Sequence, residues 1–270
     1  MPAPTRRQIH LIGLPTDSNS SFLRGPAKGP EAIRRALFSE HGNPAAENGL
    51  EIGAEIDLID AGDLALQENA GDDALIAKAV LDAAGEDHLP MLLGGDHSIT
   101  APVVRALAQL HGPLNILHFD AHPDLYEDMQ GNPRSHASPF ARILEAGAAV
   151  RLVQVGIRTL NRHQREQAKR YGVEIIHAAA FSPEAVPILA SPLYISIDLD
   201  GLDPSAAPGV SHHEPGGLSV RDVLATLARQ TARLVGADVV ELNPDRDLNG
   251  VTAVVAAKLI KEIAASAGAA

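Results

Sequence analysis

Two short runs carry most of the chemistry this chain can do. One is ILHFDAHPD, with Asp120, His122 and Asp124 at alternate positions. The other is YISIDLDGLDP, with Asp198 and Asp200 spaced the same way. Each follows a stretch of leucine and β-branched residues that reads as a buried strand. In extended backbone, residues i, i+2 and i+4 project to one side, so the acidic and imidazole groups of each run converge. A third run, MLLGGDHS, ends another apolar strand and adds His97. Four carboxylates gathered in one place repel one another by about 4 kcal/mol for each pair ~4 Å apart at an effective dielectric near 20. Two divalent cations would neutralise them. A ligand set of many oxygens and only two imidazoles favours a hard ion such as Mn2+ over a Cys/His zinc site. A pair of such ions would acidify a water into a nucleophile for attack on an unreactive carbon.

Taken singly, each piece has a plainer meaning. Aspartate after a strand commonly forms a turn, Gly94-Gly95 alone is a turn, and a lone histidine is more often a satisfied core residue than a ligand. It is the joint occurrence of DxHxD and DxD at the ends of apolar strands that points to a metal centre. Two further residues are open to two meanings. His136, in GNPRSHASPF, either shuttles protons or merely opens a helix. Glu241, in VVEL, either forms an ordinary strand-end ion pair or holds a planar cation through two parallel hydrogen bonds. The His212-His213 pair has no spacing that compels a role. Nothing in the sequence matches GxGxxG after a strand, GxxxxGK[ST], GxSxG or HExxH.

The elements that would position these groups alternate. Strand-like runs fall at 8–14, 55–60, 89–93, 114–119, 151–155, 173–177, 193–198 and 234–240. A helix opens at Gly29-Pro30-Glu31, with proline at the first helical position and an acid in the first turn. Others are expected at 72–84, 100–110, 136–145, 161–171, 219–229 and 250–266. Strands alternating with helices mean an α/β fold with a parallel sheet covered on both faces. Periodicity leaves open whether that sheet closes into a barrel or stays open, and both architectures put chemistry at the carboxyl ends of strands.

Composition narrows the partners. With 22 Lys and Arg against 34 Asp and Glu, the formal charge is −12, and no basic cluster offers a surface for nucleic acid. There is no cysteine, hence no disulfide framework and no thiolate ligand. Two arginines near the start of MPAPTRRQIH precede no apolar stretch, and no run approaches 18 apolar residues. The expectation is a soluble, cytoplasmic protein with no membrane partner, its 270 residues forming one domain. The small-residue tail 264–270 is expected to fray.

These motifs resemble the ureohydrolases, and plant-type arginases most of all. NSSFLRGPAKGPEAIR, LLGGDHSIT, ILHFDAHPDLY, SHASPFARI, QVGIRT, YISIDLDGLDPSAAPGVSHHEPGGLS and GADVVELNPDRDLNGVTAVVAAKLI follow that family in order and spacing over about 19–262. The resemblance implies an open, mostly parallel eight-stranded sheet in a three-layer α/β/α fold, with two Mn2+ per subunit. One ion would be held by His97, Asp120, Asp124 and Asp198, the other by Asp120, His122, Asp198 and Asp200. It makes His136 a proton shuttle, Glu241 the guanidinium clamp and Asp200 a proton donor to the leaving amine. It implies a homo-trimer or homo-hexamer that releases urea from a small guanidino substrate. L-arginine, giving L-ornithine, is favoured by the NSSFLRG and SHAS segments; agmatine is the alternative, with guanidinobutyrase and formimidoylglutamase activities beyond it. A one-zinc amide hydrolase of similar fold, or a silent metal-stabilised binding protein, would not need every ligand together with Glu241. Two segments depart from the animal-type pattern. Leu125-Tyr126 stands where that pattern has an asparagine, and Val210-Ser211-His212-His213 replaces Thr-Gly-Thr-Pro. The far end of the substrate is expected to meet the rim segments 17–24, 126–135 and 158–162, whose donors include Asn19, Ser20, Asn132, Arg134, Ser135 and Asn161.

Overall fold

The computed structural model describes residues 7–268. The first six residues, and the last two of the tail expected to fray, lie outside them. Eight strands form one sheet: β1 (Gln8–Leu14), β2 (Asp57–Asp63), β3 (His88–Gly94), β4 (Leu114–Phe119), β5 (Ala149–Ile157), β6 (Glu174–His177), β7 (Leu193–Asp198) and β8 (Leu234–Val240). Their order is β2-β1-β3-β8-β7-β4-β5-β6, and every pairing is parallel. The two ends do not meet, so the sheet is open. β4, β7 and β8 are buried along their whole length, as befits strands covered on both faces.

Seven helices cover it: α1 (Gly29–Leu37), α2 (Asp72–Ala83), α3 (Thr100–His111), α4 (Pro139–Glu145), α5 (Arg162–Tyr171), α6 (Val220–Ala228) and α7 (Val251–Gly268). Strand alternation sends side chains into two separate cores. Leu117, Phe119, Ile195, Ile197, Ala237 and Val239 pack with Ile33 of α1, Leu224 of α6 and Ile260 of α7. Leu114, Ile116, Tyr194 and Val240 pack on the other side with Val80 of α2, Leu107 of α3 and Phe140 of α4. Local signals agree with these ends. Ser219 and Asp222 close a reciprocal capping box at the start of α6, and Gly172 ends α5 in the left-handed region.

Two boundaries differ from expectation by three residues, the end of β2 and the start of α4. β2 runs two to three residues later than 55–60 because it is a half-exposed polar edge strand, DLIDAGD, with no apolar run to mark it. α4 begins at Pro139 rather than at 136, so His136 sits in the turn before the helix.

One further feature of the sheet bears on the site. Gln154, His118, Ser196 and Asp238 lie side by side on β5, β4, β7 and β8, each paired in register with the next. All four are fully buried.

Candidate metal centre

Four neighbouring strands, β3, β8, β7 and β4, end at the same edge of the sheet. His97 follows β3 across the turn Gly94-Gly95-Asp96, Glu241 follows β8, Asp198 ends β7 with Asp200 just beyond, and Asp120, His122 and Asp124 follow β4. Close backbone contacts hold these ends together. A Cβ on Gly95 would lie 1.7 Å from the Thr16 carbonyl oxygen, and one on Gly201 would lie 2.7 Å from the Asp120 amide nitrogen. Neither position tolerates a side chain. Asp124 and Glu241 are held at φ of 49° and 65°, a left-handed conformation that costs a non-glycine residue about 1–3 kcal/mol and persists where surrounding structure enforces it.

The six expected ligands come together. Nδ1 of His97 lies 3.3 Å from Asp120 Oδ2, 3.0 Å from Asp124 Oδ2 and 3.2 Å from Asp198 Oδ2. Yet this nitrogen is buried and makes no hydrogen bond. A lone nitrogen facing three carboxylate oxygens at such distances suits a shared cation better than any bond among the four groups. Nδ1 of His122 lies 3.3 Å from Asp120 Oδ1 and 3.1 Å from Asp200 Oδ2. Asp120 thus turns one oxygen to each imidazole, as a bridging ligand would. Asp120, His122 and Asp200 form one group able to hold a metal ion, and His97, His118 and Asp120 form another.

The electrostatics of the protein groups point the same way. Burial opposes a charge on His97, but Asp120, Asp124 and Asp198 outweigh it and hold the imidazole well above its ordinary range. His122 is raised too, with Asp200 and Asp120 overcoming burial. Burial, with the neighbouring carboxylates, pushes Asp198 well up and Asp200 up to about 6. Asp120 goes the other way: His118, His122 and His97 overcome burial and hold it well below the carboxylate range.

His118 is a residue that the reading of the sequence passed over. Gln154 Nε2 donates to its Nδ1 at 3.1 Å and to the Pro123 carbonyl at 2.6 Å, so His118 Nε2–H donates to Asp120 Oδ2 at 2.9 Å. Burial keeps the ring's pKa low. With both nitrogens engaged, His118 supports Asp120 rather than reaching for an ion. The signal lay in the spacing, since His118 is two residues before Asp120 and shares its side of the strand.

Beside the ligands stand Glu241 and His136. Glu241 Oε1 accepts from the His97 amide at 2.9 Å and from His136 Nδ1 at 2.8 Å. Burial would raise Glu241, but His136 and the His97 amide outweigh it, and the carboxylate is held below its usual range. For His136, burial works against a charge and Glu241 overcomes it, raising the ring to about 9. On the other side of that ring, the Ser21 amide donates to Nε2 at 3.1 Å, and the Ser21 hydroxyl lies 2.8 Å away. Both neighbours fit one neutral tautomer, with the proton on Nδ1 toward Glu241 and the lone pair on Nε2 toward the Ser21 amide.

These groups line a cavity of about 250 Å3, whose wall includes His122, Asp124, His136, Asp198, Asp200 and Glu241. Its size suits a small molecule. His212 is also in the wall, its ring centroid 5.2 Å from that of His136 and 5.9 Å from that of His122, and burial keeps its pKa low. Sequence spacing gave His212 no role. Tyr126, Met129, Thr159 and Gln164 complete much of the rim. The expected rim donors are placed differently. Asn132 Nδ2 donates to Asn19 Oδ1, Asn19 Nδ2 donates to Ser98 Oγ, and the Ser135 hydroxyl accepts from the Ala137 amide. None of Asn19, Ser20, Asn132, Arg134, Ser135 or Asn161 is in the cavity wall. They tie the loops to one another.

Comparison with known proteins agrees with this geometry. Residues 7–265 match the model of the arginase family. "Arginase 1, mitochondrial" of Arabidopsis thaliana is 51% identical, over 94% of this chain and 80% of that protein. The agmatinase of Bacillus subtilis is 34% identical, over 94% and 89%. Among solved structures, the arginase from Medicago truncatula superposes with a TM-score of 0.92 at 44% identity, covering 98% of this chain and 89% of its own. The cytoplasmic expectation does not survive. Several plant relatives are named mitochondrial or chloroplastic/mitochondrial. The composition of a folded body and the absence of a long apolar run carry no compartment address, so they could not support that inference. A family model matched across nearly the whole described chain, with a half-identical relative covered over four-fifths of its length, makes the assignment plain: the chain belongs to the arginase family, whose members are metal-dependent hydrolases of small guanidino compounds.

Proposed function

We propose that this chain is a single-domain arginase that hydrolyses L-arginine to L-ornithine and urea. Its two Mn2+ sites would be His97, Asp120, Asp124 and Asp198 for one ion, and Asp120, His122, Asp198 and Asp200 for the other. The observation that carries the reading is the unbonded His97 Nδ1 facing three carboxylates, with the Glu241 carboxylate hydrogen-bonded to the amide of that same residue. The preference for arginine rests on relatives named arginase at 48–51% identity, against 32–34% for those named agmatinase. When bound, the ions supply Lewis acidity that makes a water nucleophilic at neutral pH.

The protein's own groups do the rest. Both hydrogen bonds to Glu241 land on Oε1, which leaves Oε2 to accept from the guanidinium and set its carbon before the nucleophile. His136 keeps Nδ1–H on Glu241 while Nε2 gains and loses a proton, because the Ser21 hydroxyl can turn from donor to acceptor as the ring changes state. That suits a shuttle for the proton that Asp200 delivers to the leaving amine. By resemblance the subunits assemble as a homo-trimer or homo-hexamer.

The test is urea release from arginine, agmatine and other guanidino compounds after preincubation with Mn2+. Arginine should give the highest kcat/KM. A tenfold preference for agmatine would overturn the arginase reading, and no urea from any of them would overturn the hydrolase reading.

A further inference from the structure

We propose that the buried polar row behind the centre positions its ligands, and that Ser196 and Asp238 fix which nitrogen of His97 faces the ion. This inference rests on reading His97 as a ligand. Asp238 is fully buried in the middle of the sheet, where its neighbours on β8 are apolar. It accepts from Ser196 Oγ at 2.6 Å on Oδ1, and from Tyr194 OH at 2.6 Å and Thr100 Oγ1 at 2.7 Å on Oδ2. Ser196 Oγ in turn lies 3.0 Å from His97 Nε2. A hydroxyl has one proton, and Asp238 takes it. Ser196 Oγ can then only accept, so Nε2 of His97 must carry the hydrogen.

The consequence falls on the other nitrogen. With its hydrogen on Nε2, neutral His97 presents a lone pair at Nδ1, toward Asp120, Asp124 and Asp198. Without Asp238 the Ser196 hydroxyl is free to rotate and donate to Nε2, and the hydrogen of the neutral ring moves to Nδ1, where it blocks an ion. Asp238 touches neither ion nor substrate; it acts through one hydroxyl. At the other end of the row, Gln154 and His118 orient Asp120 in the same manner. Packing alone needs none of this, since Leu152, Ile116 and Val240, two residues along on the same face, are filled by apolar side chains.

Ser196→Ala and Asp238→Asn separate positioning from packing. Mn2+ bound per subunit is measured by calorimetric titration and by metal analysis after desalting, and melting is followed in EDTA. Ser196→Ala should weaken one of the two Mn2+ by 10–100-fold, the usual effect of losing such a partner, with little change in the EDTA melt. Asp238→Asn, which still offers an oxygen to Ser196, should shift affinity the same way by less. Wild-type Mn2+ affinity in both variants, or a lower EDTA melt with Mn2+ affinity unchanged, would reduce the row to packing. If the wild-type protein itself takes up no Mn2+, the ligand reading fails first and this inference with it.

Discussion

Glu241→Gln is the most informative single change, because it removes a charge while keeping shape. The glutamine carbonyl can take the place of Oε1 and still accept from the His97 amide and from His136 Nδ1, so the loop and the metal ligands should stay in place. Its NH2 then occupies the position of Oε2 and meets the guanidinium donor to donor. The loss of a charge-assisted hydrogen bond is worth about 1.5–3 kcal/mol, which alone lowers kcat/KM by roughly ten- to a hundredfold. A displacement of the reacting carbon by about 1 Å can remove another factor of ~10². We expect kcat/KM to fall by at least about two orders of magnitude with metal content unchanged. A second readout follows from His136, whose pKa is raised to about 9 chiefly against burial by Glu241. A raised imidazole stabilises the fold fully below its unfolded pKa of about 6.5 and loses that effect as pH rises through the folded value. The metal-free variant should therefore melt below wild type at pH 6, and the gap should narrow as pH rises past about 9. Near-normal kinetics with full metal would remove Glu241 from the site. Lost activity accompanied by lost metal would make its role structural.

Two further changes address the centre itself. Asp198 Oδ1 accepts from the Asp200 amide at 2.8 Å while Oδ2 faces His97, so Asp198→Asn must turn an NH2 toward one of them; metal analysis should fall from about two equivalents of Mn2+ in wild type, and two retained equivalents would sink the bridging assignment. His97 and His122, both raised well above the ordinary histidine range, and Asp198, raised well above the carboxylate range, hold protons that an ion must displace. Mn2+ uptake at pH 7 should release on the order of one proton per ion and weaken as pH falls, which calorimetry in buffers of different ionisation enthalpy reads directly; uptake without proton release would contradict it.

Much of this was legible in the sequence because the relevant signals are local. Apolar runs of six or seven residues marked β4, β7 and β8 at their observed ends, and the alternation of Asp120, His122 and Asp124 put them on one side before any fold was known. Strand order was not legible, since neither the place of β8 between β3 and β7 nor the openness of the sheet leaves a periodic trace. The same limit hid the polar row. Gln154, His118, Ser196 and Asp238 are single polar residues in apolar runs, and only cross-strand register makes them a unit. Rim residues were the least legible, because a loop's polar groups serve either a ligand or one another. Asn132 and Ser135 each hydrogen-bond a neighbour, and His212 lines the cavity.

The position of β8 has a consequence for how the centre comes into being. β8 is the last strand in the chain, yet it lies in the middle of the sheet and joins the β2-β1-β3 part to the β7-β4-β5-β6 part. Before it inserts, His97 belongs to one part, the other five candidate ligands belong to the second, and Glu241 is on the joining strand itself. A partial product that ends before β8 lacks the strand that joins His97 to the other five. The pairing of β8 with β3 joins Met91 to Ala237, the kind of non-local contact that folds late and slowly. Assembly of the candidate ligand set is thereby tied to the insertion of β8.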